Sequence, residues 1–289
     1  MSITVGSGAG WTVLDLGAAE ACCAVSVRAP GRGGGRPLVA SVATAAAAES
    51  DKQALRGLMA KVDRKLPLLM ALGRGRYRIR VMNEPVVPPR EMASTLKWAM
   101  AAESDNPAHE LHLGWLSIPS DAGQSSHRQR QIYVVTTPAA PLASAQQLWR
   151  EAGLRPKVVD IRETALRNLA NAAAPAGESQ VLVYADPQGV GFIFVHAGAL
   201  VMDRYIEQPV SDVQQASTEG RQRLHERVLS ELLRSIDVVG RAHPSMTLSR
   251  VLVAPMEGRE GLFELLRERM DPEATRLQLG ELFDLSAVP

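Results

Sequence analysis

Three observations predict an α/β protein made of two similar halves. Apolar residues switch between short runs suited to buried strands and spacings of three and four suited to helices. A strand closing on an aspartate and a turn, then a hairpin, then a long helix, is written once from Trp11 and again from Val181. With 289 residues, 46% hydrophobic and 22% charged, the chain can build a sizeable core without disulfides or metals.

In order, residues 11–16 (WTVLDL) read as a short buried strand and residues 21–27 as a second. Residues 28–37 are rich in turn formers, and Val39, Val42 and Thr44 follow as a third strand, completing a meander. Leu55, Leu58, Met59, Val62, Leu66 and Leu69 recur at helical spacing. They predict a helix over 51–72, capped by Ser50 or Asp51 and ended or kinked by Pro67. Residues 76–160 then break the pattern with a βαβ-like unit of their own. Residues 85–91 open a helix carrying Met92, Leu96, Ala99 and Met100, while HLGWLSIP and RQIYVVTTP read as strands around a polar loop, SDAGQSSHRQ. A helix over 141–152 stops at Gly153 in a left-handed cap.

The second half repeats the first. VLVYADPQG is a strand ending in Asp186 and a turn, and GFIFVH with ALVMDRYI form a hairpin around Ala197 and Gly198. Leu224, Val228, Leu229, Leu232, Ile236 and Val239 share one face of a long helix that stops near Gly240 and Pro244. VLVAP is a buried strand, and Leu262, Leu265, Leu266 and Met270 mark a last amphipathic helix.

Composition excludes several functions. With 32 basic and 31 acidic residues, net charge +1, no whole-chain field favours nucleic acid or anionic lipid, so any such contact is local. The two cysteines, Cys22 and Cys23, are adjacent, which suits neither a disulfide framework nor a four-ligand zinc site and predicts a reducing compartment. The first residues lack a basic stretch before an apolar one, and no run approaches the length of a membrane span. The expectation is a chain that is neither exported nor membrane-spanning.

The chemistry candidates are few. Asp15 and Asp186 close the first strand of each half, where a nucleotide cleft between two lobes needs carboxylates to hold magnesium through water while turn amides receive phosphate oxygens. Gly17, Ala18 and Ala19 suit such a turn; Pro187, after Asp186, has no N–H to give. The plainer reading of both aspartates is a strand-end turn. An adenine site needs a glycine pair after a strand, and here that position reads Ala254-Pro255. GRGGGR lacks a following Lys-Ser or Lys-Thr and reads as a hairpin tip rather than a phosphate loop. His109 and His112 read as solvent-facing residues beside a strand rather than metal ligands, and Ser126-His127 lacks a nucleophile elbow. RGRYRIR puts Arg76, Arg78 and Arg80 on one face of a half-buried edge strand, with a basic contact surface for a peptide or membrane as the other reading.

Several stretches resemble a known family: VLDLG, AGLRPKVVDIRETALRNLA, the hairpin ending in ALVMDRYI, LSELLRSIDVVGRAHPSMTLSRVLVAP and the closing LGELFDL. VVDIRETALRNL and LLRSIDVV, which read from periodicity as amphipathic helices, are the most specific. Together they resemble the PilM family of type IV pilus assembly proteins, especially its MSHA biogenesis branch, MshI, over nearly the whole chain. The resemblance implies an actin-like (ribonuclease H-like, duplicated) two-lobed fold with an FtsA-type inserted subdomain. The first lobe would be residues 1–75 and 156–175, the insert 76–155 and the second lobe 176–289. Asp15 with Gly17 match the family's first phosphate loop, Glu163 falls near the first connecting helix, and Asp186 with Gly189 match the second phosphate loop. The Asp-hydrophobic-Gly pattern of that second loop reads Asp186-Pro187-Gln188-Gly189 here. Together with Ala254-Pro255, this departure predicts a degenerate nucleotide site and no cofactor, ATP with magnesium being the ligand an intact cleft would take.

The implied function is a non-enzymatic cytoplasmic adaptor, held at the inner membrane by the cytosolic tail of a PilN-like or MshJ-like protein, with no nucleic-acid partner. Its groove would involve the insert. The alternative is an active ATPase of the same machine. A type II secretion L-type protein is a third reading, which would carry a membrane helix after the fold.

Overall fold

The computed structural model describes residues 10–16, 21–31, 34–46, 52–104, 106–119, 129–175 and 177–288. The chain divides into two compact units, one of Met1–Ser117, Gln131–Arg162 and Leu279–Pro289, the other of Ile118–Arg130 and Glu163–Gln278.

In the first unit β1 (Gly10–Leu16), β2 (Ala21–Arg28) and β3 (Leu38–Ala46) form the expected antiparallel meander. The helix that follows, α1 (Lys52–Met59), is shorter than its spacing predicts, and the proposed caps Ser50 and Asp51 lie outside the described residues. Residues expected to continue it form β4 (Leu68–Leu72), parallel to β1. The reason is local: Pro67 removes a helix donor, and the run Leu-Leu-Met-Ala-Leu after it suits a central strand covered on both faces.

Between β4 and the next helix stands a separate three-stranded antiparallel sheet. It comprises β5 (Arg78–Asn83), α2 (Pro89–Ala102), β6 (Leu111–Ser117) and β7 (Gln131–Pro138), in sheet order β5-β7-β6. Pro89 starts α2 where a missing N–H costs nothing, and Met92, Leu96 and Met100 from its inner face close over Leu111, Ile132 and Val134 as a core of their own.

α3 (Ala139–Glu151) behaves differently from the rest of that block. Its Leu142 and Trp149 pack among Leu14, Leu55, Leu58 and Met70, the core of the first unit. The sequence boundary of 76–155 therefore includes a helix whose apolar face belongs elsewhere. The chain then enters β8 (Pro156–Ile161), parallel to β4, and α4 (Arg162–Ala172). Val158–Ile161 thus departs from the helical reading of VVDIRETALRNL. The β-branched residues Val158, Val159 and Ile161 favour a strand, on which Lys157 and Val159 face outward and Ile161 is buried, and the helix starts only at Arg162. The first sheet reads β3-β2-β1-β4-β8.

The second unit repeats that order in β9 (Ser179–Asp186), β10 (Gly189–His196), β11 (Ala199–Glu207), β12 (Arg250–Val253) and β13 (Ala274–Arg276). Its sheet is β11-β10-β9-β12-β13, with β9, β12 and β13 parallel. The hairpin tip is Ala197-Gly198, both at positive φ, as expected. α5 (Val210–Gln215) leads into α6 (Thr218–Ala242), whose start is capped by Ser217 Oγ accepting from Gly220 N at 3.1 Å. α7 (Glu260–Arg269) packs against β13 and α6. The closing segment, with α8 (Leu279–Leu282), groups with the first unit although the sequence reading assigns it to the second lobe. Asp284 exchanges two backbone hydrogen bonds with the start of β3, to Pro37 O and from Val39 N. Among the described residues, no helix is long and apolar enough to cross a membrane.

Candidate functional site

Asp186 closes β9, and what its carboxylate does is local. Oδ1 accepts from the backbone N–H of Gln188 and of Gly189, both at 2.9 Å, and from the phenol of Tyr205 at 2.6 Å. Pro187 has no N–H, so residues 187–189 keep no amide to offer a phosphate oxygen. Their carbonyls are engaged as well, Pro187 O accepting from Val210 N and Gln188 O from Gln208 N. Gly189 has a packing reason to be glycine: a Cβ there would lie 2.1 Å from Ile206 O and 2.8 Å from the Tyr205 ring. Gly191 likewise makes room for Tyr184.

A cavity of about 410 Å³ opens beside this turn, lined by Ala185, Asp186, Pro187, Val210, Gln214, Pro255 and Glu257. It brings together Pro187 and Pro255, the two departures that the sequence flagged 68 residues apart. Ala254 N donates to Val183 O, Gly258 N to the Glu260 carboxylate and Arg259 N to Met256 O, while Pro255 has no donor. The charged side chains in the lining are both carboxylates, Asp186 and Glu257, which repel a phosphate chain.

Behind the turn lies a residue that sequence reasoning missed. Arg259 is 1% exposed; its Nη1 donates to Gln208 Oε1 at 2.9 Å and its Nη2 to Gln208 O. Burial pulls the guanidinium below its ordinary pKa, while Tyr205, Asp186 and Asp212 oppose that pull. Its hydrogen-bond partner is Gln208, and Tyr205, Asp186 and Asp212 favour its charged form. His225 on α6 is buried nearby, its Nε2 without a hydrogen-bond partner, and its pKa is lowered by burial first and by Arg259 and Arg221 next. Burial of this kind leaves no local sequence signature. The two glycines alternating in Gly189-Val190-Gly191, with tyrosines on the flanking strands, were the available hint.

In the first unit Asp15 stands on β1 opposite Cys23 of β2 and Ala71 of β4, and Ala71 in turn faces Asp160 of β8. Burial, then Asp15, raises the Cys23 thiol pKa. Gly17, Ala18 and Ala19 lie outside the described residues, as do Ser126 and His127 and part of the GRGGGR stretch. Glu163 sits in the first turn of α4 and is buried. His109 and His112 are exposed, and β5 is an edge strand with Arg78 and Arg80 exposed. No group of three or more histidine, cysteine or acidic side chains that could hold a metal occurs among the described residues.

No protein-family profile and no curated protein matches the chain. Solved structures do. A chain of the PilM-PilN type IV pilus biogenesis complex superposes with a TM-score of 0.72 at 16% identity, over 94% of this chain and 89% of that one. The fold is PilM-like. Weaker likenesses include the cytoplasmic domain of EpsL, an inner-membrane component of the Vibrio cholerae type II secretion system. It has a TM-score of 0.46 and 12% identity over 68% of this chain and 71% of that one. The ethanolamine utilization protein EutJ from Carboxydothermus hydrogenoformans has a TM-score of 0.46 and 13% identity over 92% and 83% of the two chains. At such identities the PilM-like likeness is one of fold, and the site must be read from its own residues.

Proposed function

We propose that this protein is an adaptor of a type IV pilus or MSHA-type assembly machine, working at the cytoplasmic face of the inner membrane. It binds the cytosolic tail of a PilN-like or MshJ-like membrane protein, and its nucleotide site is degenerate, so that it is not an ATPase. The observation that carries the reading is the superposition, over 94% of the chain, on a protein solved within the PilM-PilN complex. The commitment of the Asp186–Gly189 amides to Asp186 itself supports the loss of nucleotide chemistry, because phosphoryl transfer depends on positioned donors.

The insert, taken as the FtsA-type subdomain, is where the tail docks. Its β5 is an edge strand whose outer backbone groups suit an extended peptide, and Val81 on β5, Val86 in the loop that follows and Trp98 on α2 are exposed. Cross-linking with a photoreactive PilN-like tail peptide tests this. The expected cross-links fall in residues 76–138 and the adjoining first unit. Cross-links confined to 220–289, or no saturable binding, contradict it.

A further inference from the structure

A second cavity, of about 340 Å³, lies wholly within the first unit at the end of the sheet away from Asp15. It is bounded by Thr12 at the start of β1, the 63–68 segment entering β4, and the 153–157 segment entering β8. Ligands of open α/β sheets gather at the carboxyl ends of the strands, so this position is separate from any nucleotide cleft.

Its lining is basic: Arg64, Lys65, Arg155 and Lys157 converge on it, and none of the four makes a side-chain hydrogen bond or ion pair among the described residues. The one carboxylate there, Asp63, is already engaged. Its Oδ2 accepts from Arg28 Nη2 at 2.9 Å and its Oδ1 from Lys65 N at 3.0 Å. The plainer account is that the cations complement the carboxyl ends of α1 and α3, which reach the cavity at Met59 and Gly153. Each helix end carries roughly half a negative charge, so about three of the four positive charges remain unbalanced.

The cavity is also built rather than incidental. Thr12 and Ser26 are buried and hydrogen-bonded to each other at 2.8 Å. The Thr12 hydroxyl donates to Asp63 O at 2.7 Å and Asp63 N donates to Ser26 Oγ at 2.8 Å, which leaves the Ser26 proton for Thr12. This closed ring pins the loop that carries Arg64 and Lys65. On the facing side Gly153 takes φ +81°, and a Cβ there would meet the Arg64 guanidinium at 3.6 Å.

We propose that this cavity binds clustered phosphate groups, as an oligophosphate or phosphorylated small molecule, or as the headgroups of anionic lipid. Its volume is within the range of small-ligand sites, about 300–1,000 Å³, and two guanidinium forks with two ammonium groups match several phosphate oxygens at once. The proposal does not depend on the tail-binding function.

The test titrates the full chain with tripolyphosphate by calorimetry, beside a flotation assay with phosphatidylglycerol-containing and neutral phosphatidylcholine vesicles. Saturable, salt-sensitive binding of tripolyphosphate is expected. In an Arg155→Gln/Lys157→Gln variant it weakens at least about tenfold, since charge-assisted contacts are the strong ones. An Arg223→Gln/Arg227→Gln control on α6 removes the same charge and leaves binding intact, and both variants are checked for an unchanged melting temperature. Flotation with anionic vesicles that tripolyphosphate competes away assigns the ligand to lipid headgroups; soluble binding without flotation assigns it to a soluble phosphate. Absence of both, or equal loss in the control variant, overturns the proposal.

Discussion

The two units share a strand order but differ in what stands after their fourth strand. In the second unit six residues, Ala254 to Arg259, separate β12 from α7. In the first unit the same junction, between β4 and α3, holds a complete three-stranded sheet with its own core. The strand-end carboxylates differ too. Asp186 caps its own turn and is backed by a buried arginine, whereas Asp15 faces Cys23 and Ala71 across the sheet. The two units keep one strand order and differ at these two places: the first carries an added sheet after its fourth strand, and in the second the Asp186 carboxylate holds a structural turn.

The sharpest way to break this comparison is at α3. If it is a lobe helix and not part of the insert, Trp149→Ala should cost about 3–5 kcal/mol in chemical denaturation. Hydrogen exchange should then rise at Leu55, Leu58 and Met70 before it rises at Ile132 and Val134. A loss confined to the insert would return α3 to the insert. Next in size, Arg259→Met removes the donors held by Gln208 and should cost about 3 kcal/mol, because Gln208 is left buried without its partner.

A smaller effect is expected at the strand-end turn of the second unit. Asp186→Ala should lower stability by roughly 2 kcal/mol in chemical denaturation through three lost hydrogen bonds. An unchanged denaturation midpoint would mean that the carboxylate does not hold the turn. The smallest effect is with pH. Because His225 is harder to protonate folded than unfolded, the unfolded chain binds the extra proton as pH falls below about 6.5, so stability declines there. In His225→Gln this part of the decline should vanish, leaving a flatter stability profile over that interval by urea denaturation at stepped pH.

Much of the fold was legible because hydrophobic period reports it: both meanders, the long α6 and the strands β6 and β7 stand where the pattern puts them, whereas the strand read over residues 76–81 lies at Arg78–Asn83 with Val81 exposed. What failed did so for physical reasons. Leu66 and Leu69 fit a helical spacing by accident, since a continuous apolar run satisfies every period, and only Pro67 hinted at the break. Val158–Ile161 is too short a strand to stand apart from the helix that follows. β13 has three residues and no alternation. At the candidate site the aspartates and the two prolines were readable as residues. The Asp186, Tyr205, Gln208 and Arg259 cluster was not, because its members are up to 73 residues apart and meet only through folding.

Under the proposed function, this PilM-like fold works through its surfaces and does not turn over nucleotide. Steady-state hydrolysis of ATP with magnesium by the purified chain, measured beside Asp15→Ala, tests it most directly. The wild-type chain should hydrolyse ATP no faster than the variant. Magnesium-dependent turnover that Asp15→Ala abolishes would contradict the claim.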